Sequence, residues 1–437
     1  MRLNNICVIG LGYVGLTLAV TLAESGFEVF GVERDKEKLE QLRRGEPHFR
    51  EKGLAELLQK YQGKNLHLFG EIPSDKKIDV FIIAVSTPVD KITKEPRIEY
   101  IERAVNEIIP HLEEGQLIVL RSTIPVGISR KLVLPKLRER CQNFYLSFCP
   151  ERTAEGKALI ELKRLPQVIG ALNEESMFRS VELFSRVTST IIKVSSLEAA
   201  EMIKLIDNTY RDLHFAFSNQ VALICKDLNL DADEIIKAAN FGYERNNIAC
   251  PGYVGGTCLE KDPYILIHSA HSNCGFIRKG REVNENLPLH TLERVKGHLS
   301  KDKNSPLGEV KVFISGLAFK GDPETDDLRG SPSVTLLNLL KNEGIQNIYG
   351  HDFVVQEEYI NKLGVKPCSL NMGFEGADVV IFMNNHRSYQ DINIENLIRK
   401  MKKGGLFFDG WQLFGSAIKL NNHIKYESLG FKKTKKT

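Results

Sequence analysis

No run of about 18 consecutive apolar residues occurs in this chain, so an ordinary transmembrane helix is excluded. Charge of one sign is not in excess either. Lysine plus arginine number 59 against 56 for aspartate plus glutamate, a formal net charge of +3. That balance asks for neither nucleic acid nor an anionic membrane surface. The eight cysteines contain no CxxC pair and no zinc-ligand spacing, so no metal site is expected. In a reducing compartment most of them should be buried thiols. The N-terminus passes straight into a strand-like segment without the apolar core of a signal peptide, which points to the cytosol. Residues 431–437 are basic but few, and read as a solvated terminus.

What is present is a long chain with soluble, globular composition. At 437 residues it exceeds one ordinary core, so two or three domains are expected. Residues 5–10 read as a buried strand, 14–25 as an amphipathic helix and 27–33 as a second strand. Further strand candidates lie at 80–85, 117–120 and 144–148, separated by helix-like stretches. Strands alternating with helices imply a parallel, doubly wound sheet.

From 197 to 228 one helical period runs without Gly or Pro. Its apolar positions, Met202, Ile203, Ile206, Tyr210, Leu213, Phe217, Val221 and Ile224, recur at spacings of three and four. A helix of roughly 30 residues spans about 45 Å, more than one domain needs. It reads as a connecting spine that also offers a surface for homodimer formation. Residues 301–306 are a turn-rich linker. Strands are then expected at 310–316, 348–352, 379–382 and 406–409, with a helix at 334–340. The fold class is therefore α/β, with two Rossmann-like doubly wound parallel-sheet domains joined by a long central helix. The expected divisions are 1–196, 197–300 and 301–437.

The run Gly10-Leu-Gly12-Tyr13-Val14-Gly15 stands between a strand and a helix, and Glu33 ends the next strand. Glycines there permit a tight turn and close approach of backbone to a pyrophosphate, which then sits on the helix N-terminus. A carboxylate at the end of the second strand accepts from ribose hydroxyls and repels a 2′-phosphate, which favours NAD over NADP. Arg34 beside it works against that exclusion. A glycine turn in a non-binding α/β domain is the bland alternative, and the strand, helix and spaced acid together outweigh it.

A second informative stretch is Pro251-Gly-Tyr-Val-Gly255-Gly256-Thr-Cys258-Leu-Glu-Lys261-Asp262. Adjacent glycines bring bare backbone next to a thiol and leave room for a substrate. If a helix begins near Cys258, Asp262 shares a face with the sulfur, and a thiol at a helix N-terminus is the better nucleophile. An inert buried cysteine is the default for any single Cys, but the flanking Gly-Gly and Lys-Asp favour reactivity. On the spine, Lys204, Asn208 and Arg211 fall on one stripe, which a solvated face would explain equally well. The segments holding Ser122 and Thr123, and Glu151 and Arg152, each follow a strand, at the edge where open α/β sheets bind ligands.

These blocks together resemble the UDP-glucose/GDP-mannose dehydrogenase family over nearly the whole chain. The matching runs are Gly10–Gly15, Ser86-Thr87-Pro88, Ser122-Thr123-Ile-Pro125, Pro150-Glu151-Arg152, Lys204 with Asn208, Gly255–Cys258, Lys261-Asp262, Arg281-Glu-Val-Asn284-Glu285, Gly316–Lys320 and Asp326–Pro332. The resemblance implies an NAD-binding domain, a helical middle and a C-terminal domain for the nucleotide diphosphate. It implies oxidation of a sugar alcohol through aldehyde to acid with two NAD, the sugar being carried as a thioester on Cys258. It assigns Lys204 and Asn208 to the oxyanions, Asp262 and Thr123 to water and proton transfer, and Glu151 to thioester hydrolysis. By the same resemblance, Gly10, Gly12, Tyr13, Val14, Gly15, Glu33, Arg34, Thr87 and Thr123 hold NAD.

The run from Asn208 to Asn219, with Arg245 and Asn247, is similar to the branch acting on UDP-N-acetylhexosamines, which would serve surface-polysaccharide synthesis. In that reading Arg152, Thr153, Lys204, Asn208, Arg211, Arg245, Asn247, Gly255, Phe319, Lys320 and Arg329 contact the UDP-sugar. Three alternatives remain open: a UDP-glucose or GDP-mannose dehydrogenase, a single-step β-hydroxyacid dehydrogenase, and a non-catalytic nucleotide-sugar sensor. Intact Cys258, Lys204 and Asp262 argue against the last.

Overall fold

A computed structural model describes residues 3–270, 272–300, 306–414 and 424–430. The basic tail and most of the expected linker lie outside the described residues. The chain divides into two compact units, one formed by residues 1–208 with 261–273 and the other by 209–260 with 274–437. The division falls inside the spine helix, and residues 261–273 belong with the first unit.

The first unit is built on eight strands: β1 Asn5–Ile9, β2 Glu28–Val32, β3 Leu66–Phe69, β4 Val80–Ile83, β5 Leu117–Leu120, β6 Tyr145–Phe148, β7 Gln167–Ala171 and β8 Ile191–Val194. Their order is β3-β2-β1-β4-β5-β6-β7-β8. Neighbours pair in parallel except β6 and β7, which are antiparallel. The central strands read as unbroken apolar runs because both sheet faces are covered. Along β1, Ile6 and Val8 enter one core cluster, while Cys7 and Ile9 enter the other. Strand order reverses between β1 and β4, so the carboxyl ends of those strands open a crevice there.

The second unit repeats the plan with β9 Val312–Ser315, β10 Ile348–His351, β11 Lys366–Pro367, β12 Val379–Phe382, β13 Leu406–Asp409 and β14 Lys425–Ser428. The order is β11-β10-β9-β12-β13-β14, parallel throughout. The two parallel α/β sheets match the fold class expected from the sequence.

The spine is one helix, Leu197–Asp227. Its apolar stripe is not its buried face. Met202, Ile206, Tyr210, Phe217 and Ile224 are 41–66% exposed. Glu201, Lys204, Asn208, Asp212 and Asn219 are buried instead. The cysteines also depart from expectation. Cys7, Cys141, Cys149 and Cys225 are buried, Cys274 and Cys368 are intermediate, and Cys250 and Cys258 are exposed. Burial pushes the Cys149 thiol up to about 12, which marks it as inert. Among the described residues no helix is long and apolar enough to cross a membrane.

Candidate active site

Gly10 leaves β1 with a φ of +88°, a conformation that disfavours any side chain. A Cβ on Gly15 would stand 1.7 Å from the Gly10 carbonyl oxygen, so the helix Tyr13–Glu24 packs its first turn directly on the loop. Gly12 caps that helix without a side-chain bond, and a Cβ there would meet nothing within 4 Å. A helix start that no side chain caps, beside open space, suits an anion such as a pyrophosphate. The Tyr13 ring stacks on Phe49 with centroids 3.8 Å apart, and Val14 packs against the core.

Glu33 faces the glycine loop. Its carboxylate accepts from the backbone N–H of Leu11 at 3.2 Å and of Asp35 at 3.0 Å. Arg34 is exposed and its guanidinium pairs with Glu107, which turns that cation away from the role of a 2′-phosphate partner. The loops after β4 and β5 are tied together, since the Thr87 hydroxyl donates to the Thr123 carbonyl and Ser122 Oγ donates to the Val85 carbonyl at 2.6 Å. These groups fit a dinucleotide lying across the β1/β4 crevice.

The same unit gathers a polar cluster. Asn208 Nδ2 donates to Asp262 Oδ2 at 2.6 Å, and Lys261 Nζ donates to Asp262 Oδ1 at 2.9 Å. Asp262 is fully buried as the first residue of the helix Asp262–Ser269. Lys204, 8% exposed, makes no hydrogen bond among the described residues. A buried ammonium with its donors uncommitted suits an oxyanion.

Glu151 is differently placed. Its Oε1 accepts from the N–H groups of Arg152 and Thr153, and its Oε2 from Arg121 Nε at 3.2 Å and Nη2 at 2.5 Å. Burial alone would raise this carboxyl, but the Arg121 guanidinium, the Thr153 amide and Lys204 hold it below the usual carboxylate range. A carboxylate so fully engaged is a weak base. Its geometry suits an anchor for residues 151–153 better than the part in thioester hydrolysis that the resemblance assigns to it. Arg152 itself donates through Nη2 to the Pro166 carbonyl at 2.5 Å, and its Nη1 lies 3.5 Å from Asp207. Sequence reasoning passed over Arg121, which is buried and also donates to the Cys149 carbonyl and to Gln167. Its only signal was an arginine ending an apolar strand.

In the second unit Cys258 is exposed on a turn. The following helix starts at Asp262, so the thiol precedes it by a full turn and does not occupy its N-terminus. The adjacent glycines also differ from expectation. A Cβ on Gly255 would lie 2.3 Å from the Gly330 carbonyl oxygen, and one on Gly256 would lie 2.6 Å from the Phe319 ring. They are small because protein packs against them, with Gly256 N donating to Gly330 O at 2.9 Å. The Lys320 ammonium stands 5.3 Å from the Phe319 ring centroid. Arg329 is exposed and forked onto Asp327 at 2.7–3.1 Å. Arg211, Arg245 and Asn247 are exposed, with Arg245 over the Tyr243 ring at 4.9 Å and the Asn247 carbonyl accepting from His214.

The glycine turn of the second sheet repeats the strained glycine and the acid of the first, but not its helix start. Gly316 has a φ of +90°, and Asp352 after β10 accepts from the N–H groups of Leu317 and Ala318 at 2.8 and 3.0 Å. The next helix starts only at Pro332, is capped by Ser331, and Ser333 Oγ donates back to the Gly316 carbonyl at 2.6 Å. That helix start is closed by its own side chains.

Set against known proteins, an uncapped glycine turn in the first unit and a capped one in the second mark an NAD-dependent nucleotide-sugar dehydrogenase. Residues 4–188 match the NAD binding domain of the UDP-glucose/GDP-mannose dehydrogenase family, 198–286 its central domain and 313–416 its UDP binding domain. The chain belongs to that family. It is 32% identical over 440 residues to a UDP-N-acetyl-D-mannosamine dehydrogenase of Methanococcus vannielii, covering 99% of this chain and 96% of that one. An Escherichia coli protein of the same name is 32% identical over 420 residues, 91% and 97% of the two chains. Among solved structures, a UDP-D-ManNAc dehydrogenase from Pyrococcus horikoshii superposes with a TM-score of 0.86 at 29% identity, covering 98% of this chain and 99% of that one. A UDP-glucose dehydrogenase from Pyrobaculum islandicum superposes with 0.85 at 26% identity, covering 99% and 98%.

The Arg121–Glu151 pair can be tested apart from catalysis. Arg121→Met strands a buried carboxylate and should cost about 3–5 kcal/mol at neutral pH. A carboxyl held low contributes stability that is present above its unfolded pKa and lost as pH falls through its folded value. The difference between parent and variant should therefore shrink in acid, where Glu151 takes a proton in the variant first. Urea denaturation at pH 7 and pH 4 reads this, and equal stability of the two proteins at pH 7 would refute the pairing.

Proposed function

We propose that this enzyme oxidises C6 of UDP-N-acetyl-D-mannosamine to the corresponding uronic acid, a precursor for surface polysaccharide. The observation that carries the sugar assignment is full-length relatedness, at about the same identity, to several proteins named for that substrate. Overall shape does not decide it, since the Pyrobaculum islandicum UDP-glucose dehydrogenase superposes almost as well. UDP-glucose is thus the second reading.

NAD, which Gly10, Gly12, Gly15 and Glu33 would hold, would supply the hydride acceptor for each of the two oxidations. In this reading the Cys258 thiol adds to the C6 aldehyde formed first, giving a hemithioacetal whose new hydroxyl oxygen is the former carbonyl oxygen. Loss of a second hydride and that hydroxyl proton leaves a thioester, and water cleaves it to the carboxylate and the free thiol. Lys204 and the Asn208 amide donate to the C6 oxygen as it gains charge. Asp262, oriented by Asn208 and Lys261, works with Thr123 on the water and its proton. Glu151 holds the backbone that presents Arg152 and Thr153. Arg152, Arg211, Arg245, Lys320 and Arg329 supply charge for the diphosphate, and Asn247, Gly255 and Phe319 complete the UDP-sugar contacts.

We further propose a homodimer through the outward stripe of the spine helix. Five apolar side chains exposed at helical spacing on one element are more than a solvated face carries, and a second copy of the same stripe covers them isologously.

Three outcomes follow. In a panel of UDP-sugars and GDP-mannose followed by NADH formation, the acetamido sugar should be favoured by about one to two orders of magnitude in kcat/KM; UDP-glucose as the best substrate would overturn the assignment. Cys258→Ser should lose net turnover to the acid, because an oxygen ester is a poorer acyl carrier than a thioester. Parental uronate production by that variant refutes covalent catalysis. Tyr210→Glu should shift the sedimentation coefficient from dimer to monomer, and an unchanged value would remove the stripe from the interface.

A further inference from the structure

The turn bearing Cys258 is held from both sides by one chain of buried side chains, all within the second unit. Asp212, Asn219, Arg281 and Asn284 are each 2% exposed or less. Asp212 and Asn219 lie seven apart on one face of the spine helix, and Arg281 and Asn284 lie three apart on the helix Gly275–Leu299. Before the thiol, Gly252 N donates to Asn219 Oδ1 at 2.8 Å, and Asn219 Nδ2 donates to the Gly252 carbonyl at 3.0 Å. Asn219 Nδ2 also donates to Asn284 Oδ1 at 2.9 Å. Asn284 Nδ2 in turn donates to Asp212 Oδ1 and to the Asp212 carbonyl, both at 2.9 Å. Arg281 Nη1 donates to Asp212 Oδ1, and after the thiol it reaches the Leu259 carbonyl at 3.0 Å.

The arrangement is costly if its purpose is only to hold two helices together. Apolar side chains of similar volume pack at least as favourably as a buried ion pair. They would leave the backbone at 252 and 259 without partners. Other contacts pin the same stretch: a Cβ on Gly252 would lie 2.5 Å from the Trp411 ring, and Tyr253 Oη bonds Thr291 Oγ1 at 2.6 Å. The backbone is thus fixed on either side of a side chain that stays exposed.

We propose that Asp212, Asn219, Arg281 and Asn284 form a positioning clamp that sets where the Cys258 sulfur stands relative to its sugar. This rests on the reading of Cys258 as the nucleophile. None of the four touches the reacting atoms; they act through the backbone of 252 and 259. A reacting atom displaced by about 1 Å loses roughly a hundredfold in rate, so the clamp bears on kcat and not on cofactor affinity.

The test uses the full-length enzyme with Asn219→Ala at one end of the clamp and Arg281→Lys at the other. Steady-state kinetics are measured alongside amide hydrogen exchange of the peptide covering 252–259. Expected are a kcat lower by about tenfold to a hundredfold, a KM for NAD within about twofold of the parent, and faster exchange in that peptide with strands β9 and β12 unchanged. A merely structural role would instead speed exchange in those strands and lower the thermal midpoint in step with kcat, which overturns the proposal. So does unchanged exchange at 252–259, or faster exchange with parental kcat. If Arg281→Lys fails to fold, Asn219→Ala and the milder Asn219→Ser decide the matter. Full turnover by Cys258→Ser overturns the nucleophile reading and the purpose given to the clamp, whereas unchanged exchange in Asn219→Ala overturns the clamp alone.

Discussion

The buried face of the spine helix carries carboxylates, an ammonium and amides where an ordinary helix of this length carries leucine. Burying such groups without partners costs several kcal/mol each, so what packs against the helix has to supply hydrogen bonds in register with it. Glu201 takes the N–H groups of Gly127 and Ser129. Asn208 takes Asp262, Asp212 takes Arg281 and Asn284, and Asn219 takes Gly252. Lys204 is the exception, since it is buried without a hydrogen bond among the described residues. Within the first unit these groups hold the loop after β5 and the start of the helix at Asp262, and within the second they bind Gly252 and Arg281. The group left uncommitted is the one whose chemistry suits a developing oxyanion.

This constraint also explains what could and could not be read from the chain. Strands buried on both faces announce themselves as unbroken apolar runs, and 117–120, 379–382 and 406–409 have the expected bounds in the structure. Strands β3, β7, β8, β11 and β14 were not expected: β3, β8 and β11 are largely half-exposed and β11 is only Lys366–Pro367, whereas β7 and most of β14 are buried and were missed all the same. The spine was legible as a helix through the period of its apolar positions. That period reports an apolar face without saying what covers it, and here it does not face the chain's own core. The polar face that does carry the packing has the same spacing and no hydrophobic signal.

The site residues divide the same way. Gly10, Gly12, Gly15 and Glu33 follow from local geometry, because a turn, a helix start and a strand end lie close together in the chain. Cys258 and Asp262 were conspicuous as neighbours in sequence. The buried ion pairs formed at long range were not. Arg121 meets Glu151 across 30 residues and Arg281 meets Asp212 across 69, and a pair so far apart leaves no pattern in one sequence. The Gly255–Gly256 pair was noticed for the space it leaves, whereas its actual constraint is the Gly330 carbonyl and the Phe319 ring packed against it. A glycine marks close approach by something, and one sequence does not say by what.

The two sheets show how one architecture is adapted to two ligands. Both begin with a strand, a glycine of positive φ and an acid at the end of the second strand. In the first, the glycine turn runs straight into a helix that no side chain caps, and the acid accepts from the Leu11 N–H of that turn. In the second, the chain makes an excursion before its helix begins. Phe319, Lys320 and Arg329 lie on that excursion and Ser331 caps the helix, while Asp352 accepts from the backbone of its turn as Glu33 does from the first. The donors that would cradle a dinucleotide are closed there by the protein itself, and the chain between turn and helix becomes the surface that meets Gly255 and Gly256. Capping one helix start and lengthening one loop thus turns a cofactor fold into a support for the turn that bears Cys258, without changing the order of the first four strands.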